Sequence, residues 1–352
     1  MADTLTKLTY ETLQQGKNYF SFAHKSILAQ VQKIVAPNTR PGFVLPIELV
    51  PVIQAKLDSL RAADLADAEA GVYPTSLLFD DPWADYLRYY PMLCLDMPKI
   101  WERIDLKQYQ KFAPDVDTTG YPSYYVQNFH HQTDGYLSDN SANLYDLQVE
   151  ILFGGSADSM RRRILAPLKA SLQTAFAQIP AKQQRVLDIA CGTGRTLKAV
   201  RATLPQVALY GTDLSPAYLR KANEILSQIP GELPQLAQAN AEELPYLDNY
   251  FHAITCVFLF HELPAIVRQN IIEQAFRTLQ PGGTLIICDS IQLCDSPELA
   301  PAMDGFDEIF HEPYYQDYTN DNLLLRLTNA GFEEVRTEVH FMSKYLIATK
   351  SK

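Results

Sequence analysis

Asp188-Ile-Ala-Cys-Gly-Thr-Gly194 follows the apolar pair Val186-Leu187, and Asp213 comes 19 residues after its last glycine. The apolar run over 185–191 predicts a short buried strand and the spacing over 195–204 a helix, so both glycines fall in a strand-to-helix turn. Gly192 and Gly194 lack a Cβ, which lets the chain turn sharply and lets a ligand approach the backbone. The free N–H groups that open the helix suit a carboxylate or a phosphate. Asp213 ends a second apolar strand over 208–213, where a carboxylate can accept hydrogen bonds from ribose hydroxyls. Together these residues describe a site for a nucleoside joined to an anionic tail.

The next turn separates two such ligands. A dinucleotide site wants a third small residue for close helix packing, and this chain has Leu197 there. That favours a small carboxylate, as in S-adenosylmethionine, over a pyrophosphate. An acceptor that must lose a proton needs a base, and histidine suits with its reference pKa of about 6.5. His130, His131, His261 and His311 are the choices, each with a plain structural alternative as a hydrogen-bonded histidine. His261 falls at the carboxyl end of a fourth strand, where open parallel sheets place ligands. His130 and His131 lie in a segment over 121–145 that mixes tyrosines with amides, histidines and an aspartate. Tyr125, Phe129, Phe258 and Tyr314 offer aromatic faces, worth about 0.5–2 kcal/mol each against a cation. His261-Glu262 and His311-Glu312 are adjacent pairs with diverging side chains, unlike His-x-x-x-His, so no metal site is expected.

A third strand ending at 238, a fourth over 251–259, a Pro281-Gly-Gly283 turn into a fifth over 284–291 and two tight terminal strands over 335–341 and 344–349 follow in order. With these motifs the chain resembles the class I S-adenosylmethionine-dependent methyltransferases over roughly 145–350, nearest the branch of the ubiquinone and menaquinone C-methyltransferases. It departs from those enzymes after the fourth strand, with Phe258-Leu-Phe-His-Glu-Leu263 in place of a Gly-Leu-Arg-Asn-like stretch. The resemblance implies an α/β, Rossmann-like sheet, parallel with one antiparallel closing strand. It implies that Asp188, Ala190, Gly192 and Gly194 hold the methionine end of the cofactor, with Asp213 and Leu214 at the ribose. Asn240 and Ala241 would meet the adenine and Phe258 the methionyl group, while Tyr145-Asp146 match the helix beside the cofactor opening. Tyr125, Phe129, His311 and Tyr314 would bind the acceptor. The expected function is methyl transfer to oxygen or carbon of a small, apolar or aromatic molecule. The alternatives are a nucleotide-dependent oxidoreductase of the NAD type and a non-catalytic cofactor-binding regulator.

Composition fits a folded globular chain: 352 residues, 47% hydrophobic and 20% charged. A formal net charge of −11 repels phosphate backbones, so no nucleic-acid partner is expected. Arg161-Arg-Arg163 reads as a solvated helix face. Five unpaired-looking cysteines fit a reducing cytoplasm, and no apolar stretch is long enough for a transmembrane segment or a secretion signal. Residues 1–120 read as a helical accessory region and 121–352 as the catalytic domain. Helices are expected over 21–35 and 46–69, the latter with Val50, Ile53, Leu57 and Leu60 in one stripe, with breaks at 37–42, 71–74 and 114–122. These helices could serve as a lid, an interaction module or the surface of a homodimer. Further helices are expected from Leu144 to a stop at Gly154-Gly155, from Ser156 with a bend near Pro167, and over 317–330 before Gly331.

Overall fold

A computed structural model describes residues 4–39 and 45–352. The last residues of the expected break at 37–42 lie outside the described ones. Seven strands form one sheet: β1 (Arg185–Ile189), β2 (Ala208–Asp213), β3 (Gln235–Gln238), β4 (Phe251–Val257), β5 (Leu279–Ser290), β6 (Phe332–His340) and β7 (Ser343–Lys350). Their order is β3-β2-β1-β4-β5-β7-β6, with β7 antiparallel to both neighbours and the other pairings parallel. This is the expected α/β sheet with its reversed closing strand. Alternate side chains of a strand leave opposite faces. Val186 therefore packs with Leu168 and Leu197 on one side, and Leu187 and Ile189 with Ile271 and Leu327 on the other.

Thirteen α-helices are found among the described residues. In chain order they are α1 (Thr4–Val35), α2 (Val50–Glu69), α3 (Trp83–Asp105), α4 (Asp139–Leu152), α5 (Ala157–Arg162), α6 (Leu165–Ala175), α7 (Arg195–Thr203) and α8 (Pro216–Leu226), then α9 (Ala265–Thr278), α10 (Ala300–Met303), α11 (Phe306–Phe310), α12 (Tyr315–Thr319) and α13 (Leu323–Ala330). The helix expected over 21–35 is longer, beginning at Thr4, and its inward side is polar. Tyr10, Gln14, Lys17, Ser21 and His24 are its buried residues. α3 runs through Pro91 and Pro98, both on its exposed side, where the carbonyls they leave unpaired can reach water. The helix expected from Ser156 is two, α5 and α6, and the break precedes Pro167. The helix expected over 317–330 is likewise divided into α12 and α13, the second ending at Gly331 with φ 106. β1 and β4 stop short of their expected ends because Ala190 and Phe258 turn to positive φ, 54 and 57.

The expected division at residue 120 falls in the irregular stretch between α3 and α4. One apolar core crosses it: Tyr10, Leu65, Tyr73 and Leu78 share a cluster with Ile164, Leu168 and Leu197. The arginine triplet overturns its reading as a solvated face. Arg162 is buried and grips the fully buried Asp64 through Nε at 2.8 Å and Nη2 at 2.5 Å. Asp64 also accepts from Tyr10 Oη and Tyr73 Oη, each at 2.6 Å. Burial alone would raise that carboxyl, but Arg162 holds it below its ordinary value. Arg161 and Arg163 pair with Asp158 and Asp67. Adjacent like charges are tolerated because each faces its own carboxylate, and for Arg162 and Arg163 that partner lies far away in the sequence.

Removing one partner of such a pair strands a buried charge. Arg162→Met should cost about 3–5 kcal/mol in denaturant unfolding; a loss under about 1 kcal/mol would show that water reaches Asp64.

Candidate active site

The sheet order reverses between β1 and β4, and crevices at such a switch point lie beyond the strands' carboxyl ends. The glycine turn sits there. Ala190, Gly192 and Gly194 take φ of 54, 53 and 82. A Cβ on Gly192 would meet only Tyr218, at 4.0 Å, whereas one on Gly194 would press Ala222 and Leu226 at 3.1 Å. Gly192 therefore opens the backbone toward the crevice, while Gly194 serves the packing of α7 on α8. Leu197, which stands where a dinucleotide site has a small residue, is matched by Gly211 on β2: a Cβ there would lie 2.7 Å from the Leu197 side chain. The turn is clamped from two sides. Gly192 N donates to Asp213 Oδ2 at 2.9 Å, and Thr193 Oγ1 donates to Asp146 Oδ1 of α4 at 2.8 Å.

A cavity enclosing about 850 Å³ of empty space, its mouth included, lies on this turn. That suits a ligand of nucleoside size or larger. Ala190 and Gly192 line it after β1, Asp213 and Leu214 after β2, Asn240 and Ala241 after β3, and Phe258 after β4. Tyr125 and Phe129 form part of its roof. Asp188 does not line the cavity: it is buried beneath, accepts from Thr255 Oγ1 at 2.6 Å, and burial pushes its carboxyl up to about 7. Gly194 is also absent from the wall. Asn240 Oδ1 caps its own loop by accepting from Glu242 N at 3.0 Å, leaving one lone pair for a ligand. Burial raises Asp213 to about 6 despite the backbone N–H groups of Ser215 and Gly192 that it accepts.

The wall also holds Tyr136, Tyr145, Tyr218 and Glu262, none of which was singled out as a ligand contact from the sequence. Among the described residues that line it, two are carboxylates, seven are aromatic and none is lysine or arginine. Two buried hydroxyls on the wall, Tyr125 Oη and Thr212 Oγ1, have no hydrogen-bond partner among the described residues. Unmade hydrogen bonds at buried polar atoms are costly, so they mark places where a polar ligand fits. An acidic, aromatic wall with two waiting hydroxyls fits a cationic nucleoside such as S-adenosylmethionine. Asp213 and Leu214 would hold its ribose end, Asn240 and Ala241 its base, and Ala190, Gly192 and Phe258 its amino-acid end.

None of the four histidines lines the cavity. Two of them stand directly behind Glu262. Tyr136 Oη donates to Glu262 Oε1 at 2.5 Å, and His130 Nε2 lies 3.3 Å from the same oxygen. His130 Nδ1 is 3.5 Å from Glu312 Oε1, and His261 Nε2 is 3.7 Å from Glu312 Oε2 and 3.9 Å from Glu262 Oε1. His261 Nδ1 meets Asp289 Oδ1 at 2.6 Å. The pairs His261-Glu262 and His311-Glu312 do not simply diverge, as their spacing implied: their two glutamates converge on His130 and His261. Burial alone would lower His261, but Asp289 and then Glu312 push it up to about 10, so it stays an imidazolium at neutral pH. Burial likewise opposes a charge on His130, and the bond to Glu262 with the nearby Glu312 raises it.

His131 and His311 belong elsewhere. His131 is buried, its Nε2 is 3.2 Å from Ile309 O, and burial with His311 beside it drops it to about 4. His311 stacks on Tyr109 at 4.1 Å and bonds Gln127 Oε1 at 3.2 Å. Tyr314 is half-buried outside the wall. His131 and His311 tie the roof segment to residues 309–311.

Residues 186–283 match the family model described as a methyltransferase domain. This stretch of the chain, from β1 into β5, is what it shares with that domain. Over 127 residues it is 35% identical to the ubiquinone/menaquinone biosynthesis C-methyltransferase UbiE of Yersinia enterocolitica, and equally to that of Yersinia pestis. The match takes in 35% of this chain and 48% of the relative, so the chain spans about half the length of the curated relatives it matches. Among solved structures, human N-acetylserotonin methyltransferase in complex with SAM overlaps 76% of this chain and 70% of its own at 14% identity, with a TM-score of 0.43. A SAM-dependent methyltransferase from Aquifex aeolicus overlaps 55% and 97% at 20% identity, with a TM-score of 0.37.

The two glycines of the domain's turn should respond differently to substitution. Gly194→Ala puts a side chain at positive φ against α8 and should lose about 1–2 kcal/mol of stability or more. Gly192→Ala should lose no more than that while weakening ligand binding, as calorimetry and thermal unfolding together would show. Equal effects on both measurements would overturn the division of labour.

Proposed function

We propose that this protein transfers a methyl group from S-adenosylmethionine to oxygen or carbon of a small, apolar or aromatic acceptor. The observation that carries this reading is the cavity wall, whose described residues include carboxylates and aromatic rings and no lysine or arginine. A dinucleotide would bring two phosphate charges to that wall beside two carboxylates and with no side-chain cation among the described lining residues, which counts against an NAD-type oxidoreductase. A titratable cluster directly behind Glu262 counts against a regulator that only binds. On this reading residues 121–352 carry the transfer, and residues 1–120 brace the site and cover its surroundings.

When bound, the cofactor supplies an electrophilic methyl group on a positively charged sulfur. The chain's own task is alignment and proton handling, and alignment can supply roughly 7–11 kcal/mol of the barrier. Asp213 accepts from the ribose hydroxyls, and the free hydroxyls of Tyr125 and Thr212 complete the polar contacts. Phe258, stacked on Phe153 at 6.1 Å between ring centres, closes one side. The aromatic roof keeps water from the reacting centre, which strengthens each electrostatic contact inside. Glu262 is the group that takes a proton from a hydroxyl or acidic carbon of the acceptor. His130, behind it, shares that proton, while His261 acts through Glu262 and Glu312 as a fixed positive charge. This gives the base role to Glu262 and leaves His131 out of it.

Two measurements test this reading. Calorimetric titration should detect S-adenosylmethionine and S-adenosylhomocysteine but not NAD. Asp213, raised to about 6 in the free protein, must be ionised to receive the ligand. Affinity should therefore be level above neutral pH and fall about tenfold from pH 7 to pH 5. No heat from either compound would end the proposal. With phenolic, carboxylate and acidic-carbon acceptors, S-adenosylhomocysteine release should reveal the reaction. For a phenol or carbon acid, Glu262→Gln should lower kcat by about 10²–10⁴ with little change in cofactor Kd. Unchanged kcat would remove Glu262, and a comparable fall in His131→Ala with intact stability would restore that histidine.

A further inference from the structure

α1 is inverted for a helix on the surface of a lone globular chain. Its polar side points inward, with Tyr10 bonded to Asp64, Lys17 to Asp81 and His24 to Tyr90. Its apolar side points outward: Tyr19 is 73% exposed, Ile27 60% and Ile34 81%. These belong to a stripe that advances by three or four residues from Leu8 to Ile34 and contains no charge. At 1.5 Å per residue it runs about 39 Å. A stripe of that length is an interface rather than scattered surface apolarity.

We propose that a second copy of this chain covers it, the two α1 helices packing antiparallel about a twofold axis near residue 21. The stripe reads as its own complement under that operation. Tyr19 falls opposite Ala23 of the partner subunit, a large residue against a small one. Gly16 falls beside Ile27 of the partner subunit. An exposed glycine inside a helix costs stability, and apart from the helix's own backbone nothing among the described residues comes within 4 Å of where its Cβ would be, so a close neighbour from outside accounts for it. Thr12 falls opposite Gln30 of the partner subunit, pairing the stripe's two polar residues in the way that fixes register in helical seams.

The flanks agree. Glu11 and Lys33 lie on one side of the stripe, two equal eleven-residue steps about Phe22. Antiparallel helices bring like flanks together, so Glu11 meets Lys33 of the partner subunit. Within its own chain Glu11 has only a long, exposed contact with Lys7 at 3.9 Å among those the structure shows. A lipid surface fits less well, because anionic headgroups repel a chain of net charge −11 and the polar face that such a helix would show to water is turned inward.

This inference stands apart from methyl transfer and is tested without turnover. Sedimentation equilibrium of the full chain at tens of micromolar should give twice 39.7 kDa. Ile27→Glu and Ala23→Arg should each give monomers with unchanged far-UV circular dichroism, two variants guarding against a misfolded one. Glu11→Lys and Lys33→Glu should each weaken the dimer by about threefold or more, and the double variant should recover most of the loss. A monomeric wild type, a dimer indifferent to Ile27→Glu and Ala23→Arg, or charge reversals without recovery would overturn the proposal. So would a monomer that sediments with phosphatidylglycerol vesicles, which would give the stripe to lipid.

Discussion

Between β1 and β4 the chain leaves the sheet toward opposite faces, and the gap this opens at the strand ends is where the main chain must reverse without filling the space. The reversal over Ala190–Gly194 meets that demand with three residues at positive φ. Two side chains hold it by hydrogen bonds, those of Asp213 and Asp146. Asp213 thereby shapes the turn and faces the cavity at once. Its position at the end of β2 couples the second strand to the first through a side chain as well as through the ladder.

The N-terminal helices reach this turn through buried charge. Lys17 of α1 contacts Asp81 at 2.7 Å and Glu150 of α4 at 3.8 Å. Glu150 accepts from the backbone at Ala157 and Asp158, and Asp158 pairs with Arg195, the first residue of α7. Burial alone would raise Asp158, but Arg195 and Arg161 hold it far below its ordinary value. An ion chain of this kind contributes little net stability against an apolar replacement, yet it fixes geometry, since each member left alone would be costly. The accessory region is thus wired to the start of the cofactor helix rather than merely resting on it.

The strands, the reversed closing strand and the glycine turn were legible because period, glycine spacing and strand-end carboxylates are local signals. Asp213 ends β2, and Leu214, Asn240, Ala241 and Phe258, which the resemblance implied, stand past the strand ends on the cavity wall. Asp188 and Gly194 belong to the same motif but face inward, one toward Thr255 and the other toward α8, and no spacing rule separates a wall residue from one just beneath it. Glu262 was passed over in favour of His261 because reference pKa values favour histidine. The structure surrounds that imidazole with its neighbour Glu262 and with acids from two other segments, Asp289 and Glu312, and of these residues Glu262 lines the cavity. α1 was half seen because an inward polar face looks like no face at all until Asp64, Asp81 and Tyr90 are placed against it.

The exchange between Leu197 and Gly211 carries a further lesson about how such turns diverge. The space between the first crossover helix and the second strand has a fixed volume, and here the branched side chain comes from the helix while the strand contributes none. Either position changed alone leaves a void or a clash. The two must drift together, and a search for the glycine spacing of dinucleotide folds passes over this chain although the gap it fills has the same shape.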